Sequence, residues 1–161
     1  MTTNFRKIVF PATCHPNTRA LYDYWLAKCG SRSMPARSDI DPTDMPRGLL
    51  PGICLVEVVA DERRYVYRLV GTEDVEVRGK DPTGQSVIDG FFGPSVDDVL
   101  NSYDQVVSTQ APFLDPTHFK APSGRYVTEE TIFLPLSDDG ITVNKIMVFS
   151  QSRHMRKSAA A

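Results

Sequence analysis

The chain has 161 residues, of which 41% are hydrophobic and 24% charged, a composition that fits one globular domain with a sizeable core. Its formal net charge of −2 removes the general attraction that non-specific nucleic-acid binding needs, so we expect no nucleic-acid partner. No stretch approaches the roughly 18 apolar residues of a membrane span, and Pro11 interrupts the N-terminal apolar stretch too early for a secretory signal. These features predict a cytoplasmic protein that does not contact a membrane.

Cysteine usage indicates reduced thiols rather than a disulfide framework. The three cysteines are Cys14, Cys29 and Cys54, and no CxxC pair is present that would begin a zinc knuckle. Cysteines without such paired spacing are typical of small core or surface positions. We therefore predict no metal site.

An amphipathic helix is the first predicted element. The segment 15–17 offers a helix cap, apolar residues recur at three- and four-residue spacing from Leu21 to Cys29, and Gly30 ends the pattern. Residues 1–16 are accordingly expected to form an N-terminal extension. The proline-rich segment 31–51 predicts an ordered but irregular connection.

A β-hairpin and a short helix follow in the predicted order. The β-branched runs Ile53 to Val59 and Tyr65 to Val70 are separated by a polar turn, which is typical of two paired strands. Thr72 is expected to cap a short helix through its side-chain hydroxyl, and Gly79 is expected to end it.

Two more helical elements precede the second half of the sheet. A short element is predicted from Ser86 to Phe92. The clearest helix after the first runs from Ser95 to Gln110, with Asp98 placed to complete a capping box and an apolar stripe along one side.

The last third of the chain predicts three strands. They are Phe113 to Lys120, Arg125 to Leu136 and Ile141 to Gln151, separated by turn-forming residues, so an antiparallel meander is expected. Residues 153–161 are basic and then alanine-rich, which indicates a disordered tail.

The complete order of elements predicts an α+β fold. It is a five-stranded antiparallel sheet with helices inserted between strands 2 and 3 and with an additional N-terminal helix, all within one domain of residues 17–152. The inserted helices must cover one face of this sheet. The N-terminal helix is expected to cover the other face, either of its own sheet or of a second protomer.

Three separated motifs resemble one known family. They are Leu21–Trp25, Met34–Pro42, and Tyr67–Thr72 followed by 79–84, and in this order they resemble the PAS-5 family of alphaproteobacterial single-domain PAS proteins over residues 18–151. The resemblance implies a PAS fold and a non-catalytic sensory or regulatory role in bacterial signalling. It also implies binding of a small molecule, of a partner protein or of both. With no effector segment recognised beside it, the domain is expected to act on a separate, unidentified signalling protein.

A PAS fold implies a pocket between the inner face of the sheet and the short helices, although a filled hydrophobic core can occupy the same place. Tyr67 and Tyr103 are the most informative candidates there, because a buried phenol needs a hydrogen-bond partner and can offer one to a ligand. The residues predicted to line this space are Leu55, Tyr67, Val75, Phe91, Phe92, Val99, Tyr103, Phe113, Phe133 and Met147.

Two cofactors of PAS sensors are unsupported by the residues present. Flavin-adduct photosensors of this class carry an Asn-Cys pair in the helical region, and this chain has no cysteine after Cys54. Haem ligation would need an axial histidine on the helix from Ser95 to Gln110, which has none. The sequence therefore shows no covalent flavin or haem site and leaves the ligand unknown.

An interaction module without a ligand is an alternative interpretation. An exposed apolar face on the first helix would seek a partner, most simply a second copy of the chain, so a homodimer is predicted. The interface residues of this prediction are Leu21, Tyr22, Trp25 and Leu26.

A small α+β isomerase or dehydratase is a lesser alternative. It would use Asp115, His118 and Glu129 or Glu130 as an acid–base set. Positions 115 and 118 differ by three within one predicted strand, so their side chains are expected on opposite faces of the sheet. This spacing disfavours a shared catalytic site, and no catalytic residue is predicted.

Overall fold

A computed structural model describes residues 8, 10, 14–91, 95–120 and 126–154, with side chains for residues 8, 10, 14–91, 95–115 and 130–151. The helices are α1 (Pro16–Cys29), α2 (Thr72–Arg78), α3 (Val87–Gly90) and α4 (Val96–Thr109). The strands are β1 (Ile53–Val58), β2 (Tyr65–Val70), β3 (Phe113–Lys120), β4 (Tyr126–Leu136) and β5 (Lys145–His154). Single-turn 3-10 helices lie at Arg37–Asp39 and Leu50–Gly52. Within the described ranges, no helix combines the length and the apolar character that crossing a bilayer requires.

The strands form one antiparallel sheet in the order β2-β1-β5-β4-β3. Helices α2, α3 and α4 follow β2 in the chain and precede β3, while α1 precedes the whole sheet. The predicted α+β fold, with helices inserted between strands 2 and 3, is confirmed. Residues 155–161, which include most of the predicted tail, lie outside the described residues.

Local side-chain caps begin two of the helices where the sequence predicts them. The His15 Nδ1 accepts the backbone N–H of Asn17 at 3.0 Å at the start of α1, and the Ser95 Oγ accepts the N–H of Asp98 at 3.2 Å at the start of α4. The predicted cap at Thr72 is wrong by one position. Gly71 is the capping residue of α2, and Thr72 is already the first helical residue.

The fifth strand begins at Lys145 rather than at the predicted Ile141. Asp139 explains the difference, because its Oδ1 accepts the backbone N–H of Ile141 at 2.8 Å and that of Thr142 at 2.7 Å. These bonds close a turn and leave Ile141 69% exposed. The alternating apolar pattern therefore starts before the sheet does.

The hydrogen bonds to Asp139 predict that the stability of the fold depends on pH. The N–H groups of Thr142 and Ile141, with the Ser137 hydroxyl, lower the pKa of Asp139 from 3.8 to about 2. A carboxylate whose pKa is lowered by folding stabilises the folded state at pH values above the pKa that it has in the unfolded chain. This contribution is lost as the pH falls through the pKa that it has in the folded state. In urea unfolding, Asp139→Asn should be less stable than the wild type at pH 7, and the gap should close towards about pH 2. A gap that stays constant with pH would contradict this assignment.

Successive strand residues point to opposite faces of the sheet, and each face has its own cover. Cys54, Val148 and Phe133 are directly paired neighbours on what we call the α4 face. On this face the Tyr103 ring of α4 lies edge-on to Phe133, with 5.1 Å between the ring centroids. Leu55 and Met147 are each adjacent in their strand to one of these residues, and they mark the opposite or α1 face.

Helix α1 covers the α1 face and is held to strand β4 by polar contacts. The Trp25 Nε1 donates to the Pro135 carbonyl oxygen at 2.9 Å, and the Thr18 hydroxyl donates to Glu130 at 2.5 Å. Helices α2, α3 and α4 cover the α4 face, which is the inner face that the predicted pocket requires.

Candidate ligand-binding site

A group of buried and partly buried polar side chains lies between the α4 face and the inserted helices. It consists of Cys54 from β1, Tyr67 from β2, Asp74 and Arg78 from α2, and Tyr103 from α4, and we call it the inner polar cluster. Asp74 and Arg78 are separated by four residues, so they share one side of the short helix. The helix thus presents an ion pair to the interior of the domain.

Arg78 connects the elements around this cluster. Its Nε donates to the Asp74 Oδ2 at 3.1 Å, its Nη1 to the Gly90 carbonyl oxygen at 2.6 Å, and its Nη2 to the Tyr67 hydroxyl at 3.3 Å. The guanidinium carbon also lies 4.9 Å from the centroid of the Tyr67 ring. The side chain is only 9% exposed. One guanidinium therefore ties α2 to both α3 and β2.

Electrostatics keep Arg78 charged despite this burial. Burial opposes the charge, but the neighbouring Tyr67 and Asp74 together outweigh it and raise the pKa of Arg78. Asp74 retains 20% of its side-chain exposure. The pair brings one positive and one negative charge into the interior, and among the described members of the cluster these charges balance.

Cys54 is a hydrogen-bond donor in this setting rather than a nucleophile. Its Sγ lies 2.8 Å from the Asp74 Oδ2. Burial, followed by the charge of Asp74, raises the pKa of the thiol far above its ordinary value. Because the thiolate is the reactive form, this cysteine is unsuited to thiol chemistry.

Tyr103 connects the polar cluster to a row of aromatic rings. Its ring stacks on Tyr65 at a centroid distance of 4.9 Å and meets Phe133 edge-on, while Phe113 lies 6.1 Å from Phe133. Tyr103 is 2% exposed, and burial raises its pKa well above the ordinary value. Its hydroxyl thus stays protonated and is a donor in an apolar setting.

The structure brings together only part of the predicted lining. Tyr67, Tyr103, Phe113 and Phe133 lie on the α4 face or against it. Phe91 and Val99 are half-buried at the edge of the core, Val75 is half-buried on α2, and Phe92 lies outside the described residues.

The structure contradicts the prediction that Leu55 and Met147 line this space. They are paired with each other in the sheet and belong to the α1 face, because each is one residue away from a position on the α4 face. Met147 is 1% exposed. Both residues are therefore separated by the sheet from the space that they were expected to line.

The predicted interface residues of α1 are mostly unavailable to a partner. Leu21 and Trp25 are 0% exposed and Tyr22 is 4% exposed within the single chain, whereas Leu26 is 37% exposed. The chain's own sheet covers the apolar side of this helix. A homodimer stays a prediction, but it cannot use the Trp25 side of α1 while the domain is folded in this way.

The structure separates two members of the acid–base set of the enzyme alternative, Asp115 and Glu130. Asp115 is paired with Thr131 in the sheet, so it shares the face opposite to Glu130. Glu130 is engaged at the start of α1, where it accepts the Thr18 hydroxyl and the His15 N–H. The side chains of His118 and Glu129 lie outside the described residues. Within the described part of the chain, no three histidine, cysteine or acidic side chains are grouped as a metal site would need.

Comparison with known protein families gives a match along most of the chain. A family model of the PAS domain, PAS_5, matches residues 13–148. The chain belongs to this PAS domain family. The match confirms the family indicated by the three sequence motifs. No curated protein sequence matches the chain.

Some solved structures are similar to this PAS domain at low sequence identity. A variant of the fungal photoreceptor Vivid is 12% identical, with a TM-score of 0.49, and the alignment covers 80% of this chain and 91% of that one. The LOV domain of a blue-light-activated histidine kinase from Erythrobacter litoralis is 7% identical, with a TM-score of 0.48 and coverages of 64% and 95%. At these identities the likeness assigns no ligand and no activity to this chain.

Sequence reasoning missed Asp74, Arg78 and Cys54 as members of the PAS domain's inner cluster. The only local signal was the four-residue spacing of Asp74 and Arg78, and on a short helix that spacing is typical of an exposed ion pair. Their burial depends on Cys54 and Tyr67, which belong to strands earlier in the chain. A pattern within one helix does not carry that information.

Proposed function

We propose that this PAS domain is a non-catalytic sensory domain of bacterial signalling that binds a small molecule between its α4 face and helices α2, α3 and α4. The observation that carries the proposal is a pair of buried phenol side chains, those of Tyr67 and Tyr103, each 2% exposed, on the face that the inserted helices cover. The Tyr67 hydroxyl accepts from the Arg78 Nη2 at 3.3 Å, and no buried side-chain nitrogen or oxygen of the described residues lacks a hydrogen-bond partner. A few polar groups held in place among aromatic rings are what a ligand pocket uses to orient its ligand.

The arrangement of the cluster supports a sensing role. Arg78 touches α2, α3 and β2, and the Tyr103 ring belongs to α4, so a ligand at these groups would contact four elements of the domain. A molecule that binds the folded state stabilises it in proportion to its affinity and concentration. We infer that occupancy is read by a separate signalling protein, in the cytoplasm and with a homodimer as the functional unit.

Native mass spectrometry tests this proposal directly. The protein purified from its own host should show an excess mass that disappears when the same sample is denatured. A non-covalent small molecule is then established and can be identified from the difference. A protein without adduct in every charge state, whether monomer or dimer, would contradict ligand binding and favour an interaction module.

A further inference from the structure

We propose that helix α2 is a gate, which swings away from the sheet about Gly71 while the rest of the domain stays folded, and that Arg78 is its latch. The open gate exposes Cys54 and Tyr67 to molecules in solution. The inference goes beyond the proposed function, because it assigns a second conformation to the domain. For a ligand bound as proposed above, this opening is the route of entry.

Apolar burial holds α2 less firmly than it holds the other described helices. Helices α1, α3 and α4 each contain at least one buried apolar side chain, whereas no residue of α2 is buried. The two apolar side chains of α2 are Val75, which is half-buried, and Val77, which is 56% exposed. Few buried apolar contacts are typical of segments that open while the remainder of a protein stays native.

Backbone hydrogen bonds fix both ends of the segment that contains α2. The Gly71 N–H donates to the Ile53 carbonyl oxygen at 2.8 Å, and the Gly84 N–H donates to the Tyr67 carbonyl oxygen at 2.7 Å. Among the described residues, no backbone–backbone hydrogen bond joins residues 72–81 to a strand or to another helix. The middle of this segment is therefore held by its side chains.

The two ends of α2 have different surroundings. A Cβ at Gly71 would lie 2.2 Å from the Pro51 carbonyl oxygen, so this end is packed tightly against the 3-10 helix Leu50–Gly52. At Gly79, which has a φ of +80°, a Cβ would meet no atom of the described residues within 4 Å. Glycine adopts positive and negative φ at similar cost, so the chain can change direction there. The Gly71 end is thus the pivot, and the Gly79 end is the one that moves.

Three described side-chain hydrogen bonds close the gate, and Arg78 makes two of them. Its Nη1 donates to the Gly90 carbonyl oxygen of α3 at 2.6 Å, and its Nη2 donates to the Tyr67 hydroxyl of β2 at 3.3 Å. The third runs from the Cys54 thiol to the Asp74 Oδ2 at 2.8 Å. The ion pair of Asp74 with Arg78 lies within α2 and moves with it. Opening therefore separates neither charge from the other and returns a mostly buried guanidinium to water, which lowers its cost.

Cys54 is a natural reporter of this opening. It is 5% exposed, and its Sγ lies against Asp74 of α2. A maleimide can alkylate such a thiol only from an opened conformation, whether the opening is local or global. At constant pH the labelling rate then follows the population of the open form. Tryptic peptide 48–63 contains Cys54 and no other cysteine, so its modification can be measured separately.

The first measurement is labelling of Cys54 by N-ethylmaleimide in the full chain, over urea concentrations below the unfolding transition. A local opening exposes little surface, so its labelling rate should change little with urea. Labelling through global unfolding instead rises with the slope of the unfolding transition. Peptide mass mapping gives the modified fraction, and circular dichroism gives the global slope. A Cys54 rate that follows the global slope from zero urea upwards would overturn the inference.

Two variants test the role of Arg78 as the latch. Arg78→Met removes the hydrogen bonds to Gly90 and Tyr67 and should speed labelling at zero urea at least about tenfold. Tyr67→Phe removes one of them and should speed it about threefold. Arg68→Met is the matched control with an unchanged rate, because Arg68 is 51% exposed and pairs with Glu57 outside the inner polar cluster.

The test remains decisive if Arg78→Met fails to fold. Tyr67→Phe and the urea dependence of the wild type then answer the question. A labelling rate that Tyr67→Phe leaves unchanged, in a folded protein, would refute the latch.

The gate and the ligand can fail separately. A native mass spectrum without adduct, combined with urea-independent labelling of Cys54, would leave the gate in place and refute ligand binding. An adduct combined with labelling only through global unfolding would refute the gate and leave the sensory function in place.

Discussion

Replacing Trp25 by alanine is expected to lower the free energy of unfolding by about 3 to 5 kcal/mol, the usual cost of deleting a buried aromatic side chain. Trp25 is 0% exposed in the core between α1 and the sheet, and its Nε1 donates to the Pro135 carbonyl oxygen at 2.9 Å. The substitution leaves a cavity and an unpaired carbonyl group. Because single domains are stable by only about 5 to 15 kcal/mol, much of the fold's stability is at stake.

Urea unfolding followed by circular dichroism measures this loss, and Leu26→Ala is the control. Leu26 is the next residue of the same helix but is 37% exposed, so its truncation should cost less than about 1 kcal/mol. Trp25→Asp, which buries an unpaired charge, should unfold the domain. A folded and monomeric Trp25→Asp variant would instead show that this side of α1 is an interface.

Replacing Gly71 by alanine is expected to destabilise the domain by at least about 2 kcal/mol, because the added methyl group meets backbone atoms that cannot move aside cheaply. A Cβ at this position would lie 2.2 Å from the Pro51 carbonyl oxygen and 2.9 Å from that of Ile53. The Gly71 N–H also donates to the Ile53 carbonyl oxygen at 2.8 Å, which fixes the junction between β2 and α2. Relief of the clash would therefore disturb the start of α2 and, through it, Arg78.

Thr72→Ala is the matched control for Gly71→Ala. Thr72 is the next residue, is exposed and does not cap the helix, so its loss should change the unfolding free energy by no more than about 0.5 kcal/mol. Equal stability of Gly71→Ala and Thr72→Ala would show that this junction is not tightly packed.

Several elements could be predicted from the sequence because their causes are local. The cap at His15, the end of α1 at Gly30 and the cap at Ser95 each depend on residues a few positions apart. The start of β5 could not be predicted from alternation alone. Ile141 continues the apolar pattern of the strand, yet the Asp139 carboxylate binds the backbone there and turns it away from the sheet.

In the candidate site, some residues could be predicted from the sequence and others could not. Tyr67 and Tyr103 could be predicted, because a buried phenol in a strand or helix facing the inserted layer needs a partner whatever the details of packing. Leu55 and Met147 were assigned to the wrong face, since the face of a strand follows from its register with neighbours and not from hydrophobicity.

The sequence by itself determined the order of the elements, the caps that begin α1 and α4, and membership of the PAS family. These follow from periodicity and from interactions between near neighbours in the chain. Only the tertiary structure decided that the chain's own sheet covers Trp25 and that Asp74 and Arg78 are turned inward against Cys54 and Tyr67. The physical reason is that burial of a side chain depends on which distant segments meet it, and those contacts exist only once the sheet and its helices have assembled.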